Sequence, residues 1–187
     1  MNSSAFENFP ILTSERLRLR LLCPDDFAEL IKLCNDKSIA DQIINIPFPY
    51  AETDAINRLH FVRDGYLNKR RYVFAITFPS DNKLIGEIGI HLEENQKIAQ
   101  IGYWIGAPYR NLGIASEACG CILKFGFKQL QLHKIYATYY PENLASGKVM
   151  QKNKMIKEAE MKDHLLIDGN FKSLIQYRLI KTEYENL

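Results

Sequence analysis

The stretch from Tyr109 to Ala118 contains residues whose types and spacing could bind an anion. It reads YRNLGIASEA, and a helix is predicted to begin near Gly113, directly after a loop. The first N–H groups of a helix have no partner inside the helix, and the helix dipole adds positive potential there, so phosphate groups bind at such ends. Gly113 permits a positive φ and close backbone approach, and Ala115 keeps the surface small. The pattern predicts a diphosphate site that needs neither a metal nor a lysine.

This signal is weak on its own, because a glycine before a helix usually marks only a turn. The segment is not a Walker loop, since no Gly-Lys-Ser/Thr sequence follows the glycine. It also lacks the three spaced glycines of the dinucleotide-binding fingerprint. Both common types of nucleotide site are therefore disfavoured.

The preceding segment, from Gln100 to Gly106, strengthens the case. It reads QIGYWIG, an apolar strand with two glycines. Glycine inside a strand often marks a bulge or a place where another backbone approaches closely. A ligand arm that carries amides could pair with the strand backbone there, as an added strand would. The pantetheine arm of coenzyme A has two amides and fits this description.

The elements around this segment predict one α+β domain with a mixed sheet over residues 1–187. Apolar residues at helical spacing predict helices at residues 24–34, 51–66, 113–128 and 143–152. Alternating or apolar runs between polar turns predict strands at residues 16–21, 72–78, 84–92, 97–106, 133–140, 155–161 and 173–180. The second, third and fourth strands follow one another through short polar turns, which is typical of an antiparallel meander.

Composition and charge exclude several classes of protein. The chain has 187 residues, 47% of them hydrophobic and 25% charged, with a net charge of +2. Its basic residues are spread out, so no nucleic-acid partner is predicted. No apolar run approaches the ~20 residues that cross a bilayer, and the N-terminus lacks the features of a signal peptide. We therefore expect a protein outside the membrane. The four cysteines match no metal or disulfide spacing, so we expect free thiols and no bound metal. Free thiols are typical of a reducing compartment, so we expect a cytoplasmic location.

Further motifs occur in a fixed order along nearly the whole chain, from about residue 11 to residue 181. They are ERLRLR at residues 15–20, GYWIGAPYR at 102–110 and PENLAS at 141–146. Arg110, Gly113 and Ala115 match the acyl-CoA motif Gln/Arg-x-x-Gly-x-Gly/Ala. The chain therefore resembles the GNAT superfamily of N-acetyltransferases, and within it the RimJ/RimL-type subgroup that modifies ribosomal proteins.

The resemblance implies a fold, a reaction and partners. The fold would be a GNAT fold, with a central mixed, mostly antiparallel and twisted sheet of about six to seven strands and about four flanking helices. The reaction would be transfer of an acetyl group from acetyl-CoA to a primary amine by direct attack in a ternary complex, aided by proximity. The acceptor would be a protein N-terminal amine or a small-molecule amine, and the protein would be a monomer or a homodimer.

The resemblance also implies positions for the cofactor contacts. Backbone N–H groups near Trp104 and Ile105 would polarise the thioester carbonyl. Asn143 would lie against the pantetheine arm, and Ser146 would lie near the sulfur and protonate the departing thiolate. The loop amides that would hold the diphosphate belong to Arg110, Asn111, Leu112, Gly113, Ile114, Ala115 and Ser116.

The general base is left open between Glu87 and Glu158. The amine is mostly protonated at neutral pH, so a carboxylate or a chain of waters should take its proton. Glu87 would face the cleft if side chains alternate along its strand, and Glu158 lies in the strand after the last predicted helix. Either could instead be a surface carboxylate. His91 and His133 are interpreted as structural histidines.

Two positions depart from the subgroup pattern. A glycine is expected after the short helix at 143–152, where this chain has Asn153 and Lys154. Asn153 is expected to adopt the left-handed conformation in its place. Ser173 stands where the subgroup often has aspartate. These departures, and the lack of an unmistakable base, leave a second hypothesis: a non-catalytic acyl-CoA-binding or regulatory module of the same fold.

Overall fold

The computed structural model describes residues 6–94 and 96–187. The strands are β1 Leu12–Thr13, β2 Arg18–Arg20, β3 Arg71–Thr77, β4 Leu84–Leu92, β5 Ile98–Ile105, β6 Lys134–Tyr139, β7 Ile156–Ile167 and β8 Asn170–Ile180. The α-helices are α1 Phe27–Cys34, α2 Lys37–Ala40, α3 Glu52–Leu67, α4 Ile114–Lys124, α5 Leu144–Lys152 and α6 Lys181–Glu185. A π-helical turn, Phe125–Gln129, continues α4.

All eight strands belong to one sheet in the order β1-β2-β3-β4-β5-β6-β8-β7. Neighbouring strands are antiparallel except β5 and β6, which are parallel. The predicted mixed, mostly antiparallel sheet is therefore confirmed. The parallel pair needs a crossover, and α4 provides it between β5 and β6.

The described residues form eight strands and six α-helices. The sequence predicted at most seven strands and about four helices, so one strand and two helices are additional. The additional elements are β1, with two residues, α2, with four, and α6, with five. Elements this short carry too few residues for hydrophobic periodicity to show. No helix within residues 6–94 and 96–187 has the length and apolar character needed to cross a bilayer.

Apolar side chains pack on both faces of the sheet. On one face, Phe74 and Ile76 of β3 belong to the same core cluster as Ala118 and Ile122 of α4. On the other face, a second cluster includes Ala75 of β3 and residues of α1, α3 and β5, namely Leu30, Leu59 and Trp104. A strand covered on both sides is apolar throughout, which explains why β3 does not alternate. The two layers fix β4 and β5 at the centre of the molecule.

The β7–β8 hairpin is longer than predicted. The strand predicted at 155–161 continues to Ile167, and the strand predicted at 173–180 begins earlier, at Asn170. Asp168 and Gly169 form the turn between them, with φ of 48° and 76°. A register irregularity lies between Met161 and Leu165, where polar residues interrupt the apolar pattern. At this irregularity the Asp163 N–H donates to Ser173 Oγ at 3.0 Å. The serine at the departing position therefore stabilises the hairpin.

The expectation for the turn after α5 was wrong by one residue. Lys154 has the positive φ, 61°, whereas Asn153 has a φ of −88° and ends the helix. The Asn153 side chain donates to the carbonyl oxygens of Val149, at 2.9 Å, and Ser116, at 3.0 Å, and this holds Asn153 at the cap. The Met155 N–H then closes the turn on the Met150 carbonyl at 3.0 Å, as in a Schellman motif.

Candidate active site

A cleft opens where β5 and β6 diverge. Their parallel ladder ends at the pair Ile101–Ala137, and the β5 segment that follows, 102–105, has no partner on β6. β6 continues along β8 up to Tyr139 instead. The cleft has a volume of about 1060 Å³ and is lined by parts of β4, β5, β6, α3, α5 and the loop before α4.

Two glycines, Gly102 inside β5 and Gly106 directly after it, have different roles. A Cβ atom built on Gly102 would meet nothing within 4 Å, and this exposed residue lines the cleft at the point of divergence. A Cβ atom on Gly106 would lie 2.7 Å from Cδ2 of Leu33. Gly102 therefore leaves room for a ligand arm, as expected from the sequence, whereas Gly106 allows α1 to pack closely.

The start of α4 presents free backbone amides to this cleft. Gly113 caps the helix with φ 80° and ψ 0°, and its carbonyl accepts the Glu117 N–H at 3.1 Å. Within residues 6–94 and 96–187, the N–H groups from Asn111 to Ser116 have no hydrogen-bond acceptor. The Arg110 N–H differs, because it donates to the Ala107 carbonyl at 3.3 Å. An anion at this terminus would satisfy donors that the protein leaves unpaired.

The N-terminal motif holds this helix start in place. Glu117 accepts hydrogen bonds from Ser14 Oγ at 2.7 Å, from the Arg16 N–H at 2.9 Å and from Arg16 Nε at 2.8 Å. Arg16 Nη1 also donates to the Leu112 carbonyl at 3.1 Å. Partial burial opposes ionisation of Glu117, but the hydrogen bonds from Ser14 and Arg16 hold its pKa below the ordinary value. The motif at residues 15–20 supports the family resemblance, but the role of Arg16 is known only from the structure.

The Arg110 side chain turns away from the free amides. Its Nε donates to the Ile105 carbonyl at 3.0 Å, Nη1 to Ser38 Oγ at 2.9 Å and Nη2 to Asp36 Oδ2 at 3.0 Å. The guanidinium is therefore engaged with the end of β5 and with the segment around α2.

Glu87 lies in the cleft wall and is nearly fully buried. It is 1% exposed, and its Oε2 accepts hydrogen bonds from Trp104 Nε1 at 2.9 Å and from Arg58 Nε at 3.0 Å. Its other oxygen, Oε1, has no hydrogen-bond partner among the described residues. The surface-carboxylate alternative does not apply to Glu87. Arg58 was not predicted, because α3 carries several other charged residues and nothing in the sequence distinguishes Arg58 from them.

Glu158 lies elsewhere. It is not among the residues that line the cleft, and it accepts hydrogen bonds from Lys134 Nζ at 2.7 Å and Gln176 Nε2 at 2.6 Å. The hydrogen bond from Lys134 lowers its pKa. Of the two candidate bases, only Glu87 reaches the cleft.

Helix α5 brings the two residues of the PENLAS motif to the opposite side of the opening. Asn143 and Ser146 both line the cleft, and Asn143 Oδ1 caps the helix by accepting the Ser146 N–H at 3.2 Å. The Tyr103 hydroxyl donates to the Ser146 carbonyl at 3.4 Å. Burial raises the pKa of Tyr103, so its hydroxyl keeps its proton at neutral pH.

His91 also lines the cleft, on the same face of β4 as Glu87. Burial, together with the charges of Arg58 and Arg71, lowers its pKa to about 4. The imidazole is therefore neutral at pH 7. No three His, Cys, Asp or Glu side chains of the described chain are grouped as a metal site requires.

Comparison with known proteins agrees with this geometry. The family described as "Acetyltransferase (GNAT) domain" matches residues 16–156. The putative ribosomal N-acetyltransferase YdaF of Bacillus subtilis is 30% identical over 181 residues, covering 95% of this chain and 98% of its own. A GNAT-family acetyltransferase structure from Bacillus anthracis, 28% identical, has a TM-score of 0.79 and covers 93% of this chain and 100% of its own.

A more distant structure shares the fold. RimL, a ribosomal L7/L12 alpha-N-protein acetyltransferase solved in complex with coenzyme A, is 18% identical with a TM-score of 0.84, covering 93% of this chain and 99% of its own. The family match extends over more than half of the sequence, from Arg16 between β1 and β2 to Ile156, the first residue of β7. The chain belongs to the GNAT acetyltransferase family.

Proposed function

We propose that this protein is an acetyl-CoA-dependent N-acetyltransferase that acts on a primary amine by direct attack in a ternary complex. The observation that carries the proposal is the row of unpartnered N–H groups from Asn111 to Ser116 at the start of α4. This row lies beside the end of β5, where residues 102–105 do not pair with β6. A diphosphate suits the helix terminus, and an amide-bearing arm suits the open edge of β5.

The cofactor would lie along the cleft from α4 to α5. The amides of Asn111, Leu112, Gly113, Ile114, Ala115 and Ser116 would hold the diphosphate, with Arg110 shaping the loop. The pantetheine arm would follow the unpaired β5 segment towards Trp104 and Ile105, whose backbone would polarise the thioester carbonyl. Asn143 and Ser146, at the start of α5, line the same cleft, which supports the proposed contacts of Asn143 with the arm and of Ser146 with the sulfur.

Glu87 is the favoured general base. Its Oε2 accepts hydrogen bonds from Arg58 and Trp104, so Oε1 is the oxygen left to accept a proton from the amine. Oε1 is itself buried, so the proton would reach it after a local movement of the cleft wall. Ser146 would return a proton to the departing thiolate, directly or through water. Glu158 stays a weaker candidate, because its position outside the cleft would require the proton to travel through water.

The proposed acceptor is a protein N-terminal amine, with small-molecule amines as the alternative. Support comes from the names of relatives: YdaF is a putative ribosomal N-acetyltransferase, and a 26% identical relative from Escherichia coli acetylates an alanine of ribosomal protein uS5. A structurally similar protein, a spermidine N-acetyltransferase from Vibrio cholerae, was solved in complex with coenzyme A and spermine. These names define the panel of amines to be tested.

We further propose that residues 1–187 act as one catalytic domain, as a monomer or homodimer, in the cytoplasm. The cysteines support a reducing location, because all four are free and Cys34 and Cys119 are buried. Sedimentation of the purified protein and fractionation of cells would test the two assignments.

The test of the proposed function is release of coenzyme A thiol from acetyl-CoA in the presence of N-terminal peptides of ribosomal proteins, polyamines and aminoglycosides. Calorimetry with acetyl-CoA is run in parallel. Binding with amine-dependent thiol release supports the enzyme. Binding without release for any amine of the panel would favour the non-catalytic acyl-CoA-binding module, and absence of binding would remove both.

A further inference from the structure

The segment of residues 36–45, which contains α2 and is here called the α2 segment, forms a wall of the cleft. Its lining residues are Ser38, Ile39, Gln42, Ile43, Ile44 and Asn45. Ile39 belongs to the same core cluster as Trp104, the hydrogen-bond partner of Glu87. The wall therefore lies on the side of the sheet from which an amine would approach Glu87.

Few interactions hold the α2 segment to the rest of the protein. Its backbone hydrogen bonds are local, for example from Asp41 N–H to the Lys37 carbonyl and from Ile43 N–H to the Ile39 carbonyl, both at 2.9 Å. Within residues 6–94 and 96–187, the hydrogen bonds that leave the segment go to Arg110, apart from one in which the adjacent Ile46 N–H donates to the Ile43 carbonyl at 3.2 Å. Packing of Ile39, which is 3% exposed, and of the partly buried Ile43 supplies the other attachment.

Arg110 connects this wall to the proposed cofactor loop. Its N–H closes the turn on Ala107, its Nε holds the end of β5, and its two terminal nitrogens hold Ser38 and Asp36. The residues that follow it, from Asn111 onward, carry the free amides. One side chain therefore spans the loop, the strand end and the wall.

Asp36 is suited to receive this contact without losing its local role. Its Oδ1 caps α2 by accepting the N–H of Ser38 at 2.9 Å and its hydroxyl at 2.7 Å, which leaves Oδ2 for Arg110 at 3.0 Å. The hydrogen bond from Ser38, together with the charge of Arg110, lowers the pKa of Asp36. The carboxylate is ionised at neutral pH and able to pair with the guanidinium.

We propose that Arg110 is a positioning residue that fixes the amine-side wall to the cofactor loop, and that its guanidinium is not a ligand of the diphosphate. The α2 segment would then keep the shape of the amine pocket only while this connection holds. The identification of the wall as the amine side rests on the proposed function, whereas the connection itself does not.

The first test measures hydrogen exchange of the backbone amides of the α2 segment in the free protein. Asp36→Asn keeps an oxygen to cap α2 but replaces an acceptor of Arg110 with a weaker or repelling group, and Arg110→Met removes all three donors. Exchange in the α2 segment should become about three- to tenfold faster in each variant, because loss of a charge-assisted contact lowers the cost of local opening. The double variant should exchange no faster than Arg110→Met alone.

A matched control lies in the same segment. Asp41→Asn breaks the exposed pair with Lys37, at 2.7 Å, and leaves Arg110 untouched. It should not change exchange in the other residues of the segment. Unchanged exchange in both Asp36→Asn and Arg110→Met would overturn the proposal. So would a loss of coenzyme A affinity of more than about tenfold in Arg110→Met alone, since that result is typical of a direct phosphate contact.

The second test separates positioning from general stability. With an amine found in the thiol-release screen, Asp36→Asn should raise the KM for the amine by about threefold or more and leave the KM for acetyl-CoA unchanged, since uniform binding of the amine alone is weakened. Asp41→Asn should change neither. Equal effects on both substrates would contradict the proposal. If the wild-type protein binds no acetyl-CoA, the proposed function fails, while hydrogen exchange in the free protein still decides whether Arg110 holds the wall.

Discussion

At the scale of single residues, the cleft is organised by a few polar side chains that lie far apart in the sequence. Glu87 is held by Arg58 and Trp104 through one oxygen, and its other oxygen has no partner among the described residues. A buried carboxylate is costly unless it is paired. Oε1 is itself buried, so the wall around it would have to move before Glu87 could serve as the proposed general base.

Replacing Glu87 by Gln should lower kcat and leave coenzyme A binding intact. The amide has nearly the same shape but cannot take a proton, and loss of a general base costs about 10²- to 10⁴-fold in rate. Thiol-release kinetics and calorimetry measure the two quantities. Glu158→Gln is the matched variant and should keep nearly full activity; the reverse ranking of the two variants would assign the base to Glu158.

Replacing Arg58 by Met should destabilise the fold strongly, because it leaves the buried Glu87 charge without its partner. Breaking one side of a buried ion pair costs about 3–5 kcal/mol. The Arg58→Met/Glu87→Gln double variant should recover most of this loss, since the unpaired charge is gone. Urea unfolding of the wild type, the two single variants and the double variant measures the free energies, and additive losses in the double variant would show that the pair is not coupled.

His91 should make stability depend on pH on the acid side. Its pKa is about 4 in the folded protein against an ordinary 6.5, so the unfolded chain binds the proton more tightly. Stability contributed by the neutral imidazole is therefore complete above about pH 6.5 and falls as the pH drops towards 4, by about 2–3 kcal/mol. Urea unfolding at several pH values should show a shallower slope for His91→Gln than for the wild type. Identical slopes would argue against the burial of this imidazole.

At the scale of elements, the divergence of β5 from β6 and the start of α4 define the proposed cofactor side of the cleft. Gly113 turns the chain into α4 with a φ of 80°, and Glu117 in the first turn is held by Ser14 and Arg16. These contacts keep the helix terminus rigid without using its free amides. The terminus can therefore receive an anion without rearrangement.

Gly113→Asp should weaken binding of coenzyme A by more than about tenfold. Aspartate both strains the left-handed backbone and places a negative charge against the diphosphate, and each effect is on the order of 1 kcal/mol or more. Gly169→Asp is the matched control, because Gly169 has a φ of 76°, and its added Cβ would also meet no backbone atom. Both variants should lose similar stability in thermal melts, but only Gly113→Asp should lose affinity in calorimetry. Equal affinity in the two variants would remove Gly113 from the site.

At the scale of the whole molecule, the features that could be predicted from the sequence are those set by residues close to one another along the chain. Gly113 before an amphipathic helix, and the apolar run of β5, are local patterns whose physical meaning does not depend on the rest of the chain. The meander and the start of the helix near Gly113 were predicted from such patterns, whereas the pairing of β5 with β6 was not. The short elements β1, α2 and α6 were not, because their few residues carry no period.

The contacts that link distant parts of the chain could not be predicted from one sequence. Arg16 meets Glu117 across 101 positions, Arg110 meets Asp36 across 74, and Arg58 meets Glu87 across 29. A charged residue in a strand or helix has many possible partners, and only the packing of the sheet selects one. For this reason the loop was identified from its sequence, whereas the roles of Arg16, Arg58 and Arg110 required the structure.

The central claim is that the free amides between Asn111 and Ser116 hold the diphosphate of the cofactor. Titration of ¹⁵N-labelled protein with coenzyme A, followed through the backbone amide resonances, tests it most directly. We expect the resonances of Asn111 to Ser116 to move downfield together and to saturate at the affinity that calorimetry gives, because each of these N–H groups gains an anionic acceptor. Saturable binding that leaves these resonances unmoved, or no binding at all, would contradict the account.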